Sequence, residues 1–108
     1  MALSAALAGC GAAAAGRHPP AATAGDARRG QQLFEYTCDA CHYARSSVAR
    51  AGPGLAGLYS RVRLRNGAPV NDASVERFIR DGTGVMPGYH DKLSAAQMRD
   101  LIAYLRTL

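Results

Sequence analysis

Cys38-Asp39-Ala40-Cys41-His42 is the stretch whose reading decides this chain. Two thiols three residues apart fall on one side of a helical turn, and an imidazole follows the second directly. This C-x-x-C-H pattern is the signature of c-type haem attachment, in which each sulfur adds across a porphyrin vinyl group to form a thioether. The histidine is then carried beneath the ring with a nitrogen toward iron. A C-x-x-C pair also serves as a redox dithiol or as half of a zinc site. The dithiol needs a βαβ setting, which this sequence lacks, and a closed zinc site needs a fourth ligand beside Cys38, Cys41 and His42.

The flanking sequence reads as short helices joined by loops, so the expected fold class is all-α. Asp26 is a candidate N-cap for a helix running through Tyr36, with Gly30, Leu33 and Phe34 on one face. A glycine inside a helix costs up to about 1 kcal/mol relative to alanine, so Gly30 points to a second backbone passing close by. The expected crossing partner is the last helix. There Ser94-Ala95-Ala96-Gln97 forms a capping box, and Met98, Leu101, Ile102, Leu105 and Leu108 form one apolar stripe to the chain end. Between these two, Asn71 or Asp72 caps a helix bearing Val75, Phe78 and Ile79 and stopping at Gly82. Residues 55–61 are expected to form one further short helix, and no segment alternates long enough to be a strand.

Residues 26–108 resemble the bacterial class I, mono-haem cytochromes c, and the likeness runs in order along the whole segment. Gly30 and Phe34 match the family's first helix, Cys38-Asp39-Ala40-Cys41-His42 its attachment site, and Gly52-Pro53-Gly54-Leu55 its following loop. Val85-Met86-Pro87 matches the distal ligand loop, and Leu101-Ile102-Ala103-Tyr104-Leu105 the closing helix. The resemblance implies three to five helices around one covalently bound haem c, with His42 and Met86 as axial ligands. It also implies that the carbonyl of Pro53 accepts a hydrogen bond from the other imidazole nitrogen of His42, which fixes the ring. Arg61 matches a position that often binds a haem propionate, with Tyr59 as a second donor and Arg63 and Arg65 as neighbouring candidates. Met98 is expected in the core and His90 as an ordinary exposed residue.

The 25 residues before Asp26 are almost all Ala, Gly, Leu and Pro. Within them Leu7-Ala8-Gly9-Cys10 resembles the lipobox of bacterial lipoproteins, which makes Cys10 a lipidation candidate. Residues 1–9 then form the signal segment. They carry no Arg or Lys, so this reading includes a truncated start. Residues 10–25 form a tether with a root-mean-square reach of roughly 20 to 24 Å. No apolar run reaches the roughly 20 residues that span a bilayer. The expected location is the periplasm, with the membrane reached only through a lipid anchor at Cys10.

Composition limits the function classes further. A chain of 108 residues with 6% aromatics and no Trp has a small core, so it needs a staple, and a bound haem provides one. A formal net charge of +5 excludes an acidic tail and suggests an acidic partner. Arg45, Arg50, Arg61, Arg63 and Arg65 lie in a stretch without acids, expected as a basic docking face for redox partner proteins. Little aromatic interleaving accompanies them, which argues against nucleic acid. With both axial positions filled, iron has no place for a small-molecule substrate, so the expectation is a one-electron carrier and not an enzyme. The alternative is an electron-transfer subunit of a larger periplasmic dehydrogenase or respiratory complex, and a gas sensor or peroxidase ranks below both.

Overall fold

The computed structural model describes residues 25–108, and Cys10, the expected signal segment and nearly all of the expected tether lie outside them. Three helices form the described part: α1 (Ala27–Thr37), α2 (Asp72–Asp81) and α3 (Ala95–Leu105). Each begins at the cap its sequence calls for. The Asp26 carboxylate accepts from the Arg29 N–H, Asn71 Oδ1 accepts from the Ser74 N–H at 2.8 Å, and Ser94 and Gln97 close a reciprocal capping box. Of the two candidates for α2, Asn71 is the cap. The Arg29 N–H bond holds the Asp26 carboxyl below its ordinary pKa. That stabilisation is therefore present above the usual carboxylate range and fades as pH falls through the lowered value.

α1 and α3 cross at Gly30, as the sequence suggests. A side chain there would collide with the carbonyl of Asp100 and come within 2.8 Å of the Tyr104 Cβ. Only hydrogen at that position permits so close an approach. Asp100 adds a polar clamp to the same crossing, its carboxylate accepting from the Asp26 N–H at 2.8 Å and from the Arg29 side chain at 3.2 Å. Phe34 and Tyr104 pack across the contact with ring centroids 5.6 Å apart and a tilted geometry worth about 0.5 to 1.5 kcal/mol beyond area burial. Phe34, Met98 and Leu101 are the most deeply buried side chains, and Met98 is core as expected.

Three local expectations are corrected. The helix expected over residues 55–61 is a single 3-10 turn, Leu58–Ser60, because the left-handed Gly57 (φ 66°) precedes it and Arg61 is already extended. α3 ends at Leu105, three residues before the apolar stripe does, and Thr107 and Leu108 close a turn onto Tyr104 and Leu105. α3 also buries a second side, Asp100 and Tyr104, that the stripe does not include. Among the described residues there is no strand, only an isolated bridge between Arg63 and Pro69. No helix among them is long and apolar enough to cross a membrane.

The crossing yields a direct test. Gly30→Ala gains up to about 1 kcal/mol of helix propensity, but must push two backbones apart at a cost of about 1 to 3 kcal/mol. A net loss of stability is expected in urea unfolding of the holoprotein, read as a lower midpoint. An unchanged or raised midpoint would remove the close crossing as a constraint.

Candidate functional site

The Cys-x-x-Cys-His run hangs from the C-terminal end of α1. The Cys38 and Asp39 N–H groups both donate to the Phe34 carbonyl, and the Cys41 and His42 N–H groups donate to the Cys38 carbonyl. Residues 38–41 thus make one further turn beyond the helix, with both cysteines and His42 on the wall of one cleft. The following loop is strapped back over this turn. The Gly52 N–H donates to the Cys41 carbonyl at 2.7 Å, the Leu55 N–H to the Tyr43 carbonyl at 2.9 Å, and the Arg50 guanidinium to the Asp39 carbonyl at 2.7 Å.

The strap orients the imidazole. His42 Nδ1 lies 2.8 Å from the Pro53 carbonyl oxygen, the partner expected for it. With Nδ1 engaged there, Nε2 is the ring nitrogen left without a hydrogen bond among the described residues. Gly52 lies flat against the ring, so close that a side chain would overlap Cε1. His42 is therefore held by a backbone acceptor and by a backbone surface that only glycine supplies.

The cleft measures about 520 Å³, within the roughly 300 to 1,000 Å³ of cofactor-sized sites. Its walls are largely apolar. Phe34, Leu101 and Leu105 come from the α1–α3 pair, Val75, Phe78 and Ile79 from α2, and Leu55, Leu58 and Leu64 from the intervening loops. Met86 and Tyr89 line the same space from the loop after α2. Two thiols and an imidazole thus share an apolar cleft with a thioether, a set that fits a covalently held haem. Burial, then the neighbouring Cys41, pushes the Cys38 thiol up to about 11, the opposite of the lowering a reactive dithiol requires. No group of three or more His, Cys, Asp or Glu side chains suited to a metal ion occurs among the described residues.

Other expected participants divide. Arg61 lines the cleft, but its Nη2 already donates to the Gly54 and Ala56 carbonyls at 2.7 and 3.1 Å, which braces the loop that carries Pro53. Arg63 and Arg65 also line the cleft. Tyr59 does not: its hydroxyl donates to Asp72 at 2.9 Å, because the 3-10 turn sends Leu58 into the cleft wall and Tyr59 away from it. Arg45 and Arg50 are also absent from the cleft lining. Arg45 stacks over Tyr104 and donates to Thr107, and Arg50 stacks over Tyr43, both exposed, so of the five arginines Arg61, Arg63 and Arg65 are those that line the cleft. His90 is exposed and does not line it.

Residues 25–105 match a family described as cytochrome C oxidase, cbb3-type, subunit III. Cytochrome c of Euglena viridis is 31% identical over 100 residues, covering 78% of this chain and 98% of that protein. The chain belongs to the class I cytochromes c. Cytochrome c6 of Gloeothece citriformis is 29% identical over 84 residues, covering 78% of this chain and 73% of that one. The crystal structure of cytochrome c6 from the diatom Phaeodactylum tricornutum superposes with a TM-score of 0.62 at 22% identity, covering 77% of this chain and 93% of that one, and shares the fold. As a small mono-haem cytochrome c, this protein carries one covalent c-type haem, works with redox partner proteins, and is an electron carrier rather than an enzyme.

Proposed function

We propose that this cytochrome c moves single electrons between periplasmic or membrane-associated proteins, with Cys38 and Cys41 as the residues that would carry the haem and His42 and Met86 as those that would ligate its iron. The observation that carries this reading is the fixed imidazole. His42 Nδ1 is engaged by Pro53 at 2.8 Å, while the ring shares an apolar cleft with Cys38, Cys41 and Met86. When bound there, the haem supplies a reversible one-electron couple, and a soft neutral sulfur ligand raises its potential. Phe34, Leu101 and Phe78 give the cleft an apolar wall that would exclude water from the group, and with His42 and Met86 both bound the iron would have no position for a substrate. Arg61, Arg63 or Arg65 bonds a propionate carboxylate, matching the fork of a guanidinium to an anion at the cleft.

Docking follows from charge. Arg61, Arg63 and Arg65 line the cleft, as does Val85, which is 88% exposed, so an acidic surface on the partner meets cations at the cleft. The description of the matching family favours a second reading, in which the domain is the electron-entry subunit of a respiratory complex. A stable partner on gentle extraction separates that reading from a free carrier. Cys10, in a lipobox-like setting, is proposed as the lipidated N-terminus that places the domain at its membrane.

Ligation is tested by spectroscopy and gas binding. The ferric protein is expected to show a far-red sulfur-to-iron charge-transfer band, and the ferrous protein to resist carbon monoxide. Met86→Ala is expected to lose the band and to bind carbon monoxide rapidly. Rapid binding by the unaltered protein would instead place it among sensors or peroxidases.

Electron transfer to an acidic partner is expected to slow as salt shortens the Debye length below about 10 Å. Combined Arg63→Glu and Arg65→Glu substitution is expected to flatten that salt dependence. Rates indifferent to salt would remove the basic docking face.

Intact-mass measurement of the mature protein is expected to find a diacylglycerol-modified Cys10 as its first residue. An unmodified chain retaining residues 1–9 would exclude the anchor.

A further inference from the structure

Met86 sits in a loop whose two ends are tied to the same end of α2. On entry the Gly82 N–H donates to the Phe78 carbonyl at 2.8 Å, and on exit the Tyr89 N–H donates to the Ile79 carbonyl at 2.9 Å. Between these anchors Thr83 closes the loop on itself. Its N–H donates to the Met86 carbonyl at 2.9 Å, and its Oγ1 accepts from the Met86 N–H at 3.0 Å and from the Val85 N–H at 3.1 Å. The ends of the loop pack closely, Gly88 against the Arg80 and Asp81 carbonyls, but its tip does not: Val85 is 88% exposed and nothing lies within 4 Å of a side chain added at Gly84. Within this frame Thr83 makes the three bonds that close the segment presenting the Met86 thioether, and two of the three depend on one hydroxyl.

We propose that Thr83 is a positioning residue for Met86: its hydroxyl holds the thioether toward the cleft and sets how readily a competing ligand replaces the sulfur. The proposal rests on Met86 as the axial ligand. A loop that opens more often offers its iron position to competitors in proportion to the open population. Each hydrogen bond of this kind contributes a net amount of the order that changes an equilibrium severalfold, so losing both is expected to raise that population about tenfold.

The test titrates the ferric holoprotein with imidazole and follows loss of the far-red sulfur-to-iron band. Thr83→Val, nearly the same shape without the acceptor, is expected to bind imidazole about tenfold more tightly than the unaltered protein. Thr83→Ala is expected to do the same, so the result does not hinge on how valine packs. Thr83→Ser restores the acceptor and is expected to stay near the original affinity. Asn71→Ala loosens the opposite end of α2 and is expected to leave imidazole affinity unchanged, which separates positioning from general destabilisation. Original affinity in both Thr83→Val and Thr83→Ala, or equal tightening in Thr83→Ser, overturns the proposal. Absence of the far-red band from the unaltered protein overturns the ligand assignment itself, and the role of Thr83 with it.

Discussion

Everything that positions the cofactor site depends on how closely α1 approaches α3 at Gly30. That contact is backbone against backbone, with the Asp100 carbonyl where a side chain would otherwise stand. It fixes the direction of α1, and the Cys38–Cys41 turn is a continuation of α1 hydrogen-bonded to Phe34. Phe34 is itself buried against Tyr104 on α3. The attachment turn is therefore aimed by tertiary packing. The loop from Arg50 to Leu55 then locks it through the Cys41, Asp39 and Tyr43 carbonyls.

The cleft explains how so small a chain manages with few aromatics. Val75 and Ile79 are buried, yet with Phe78 they also line a space of about 520 Å³ whose other walls are Leu58, Leu101 and Leu105. Side chains of this kind facing one shared space suit an apolar group, and burying their surface favours the folded state by roughly 25 cal/mol per Å². A covalent haem adds apolar mass to this core and cannot be lost on partial unfolding. The same largely apolar lining gives His42 and Met86 a low-dielectric setting.

Much of this was legible in the residues because the relevant signals are local. The C-x-x-C-H run, the Asp26, Asn71 and Ser94 caps, and Gly30 inside a helical pattern each carry their own physical reason. His42 and Pro53 are 11 residues apart and meet as expected. Missed features depend on which way an element faces. Asp100 and Tyr104 lie off the apolar stripe of α3 because that helix packs on the cleft with one side and on α1 with another. Tyr59 turns toward Asp72 because it follows Leu58 within one 3-10 turn, whose Leu58 faces the cleft, and Arg45 and Arg50 stack over Tyr104 and Tyr43 away from the cleft lining. Thr83 went unread as well. Its hydroxyl acts only through the closed shape of the loop, although a threonine three residues before a Met-Pro step was the available signal.

The central claim is that a porphyrin is bonded to this chain through the turn at the end of α1. Extraction of the natively expressed protein with acidified acetone, followed by trypsin and mass spectrometry of the peptide spanning residues 30–45, tests it directly. The account predicts a coloured peptide carrying one haem, with neither Cys38 nor Cys41 open to alkylation. Haem released into the organic phase, or a peptide of unmodified mass with both thiols reactive, would contradict it.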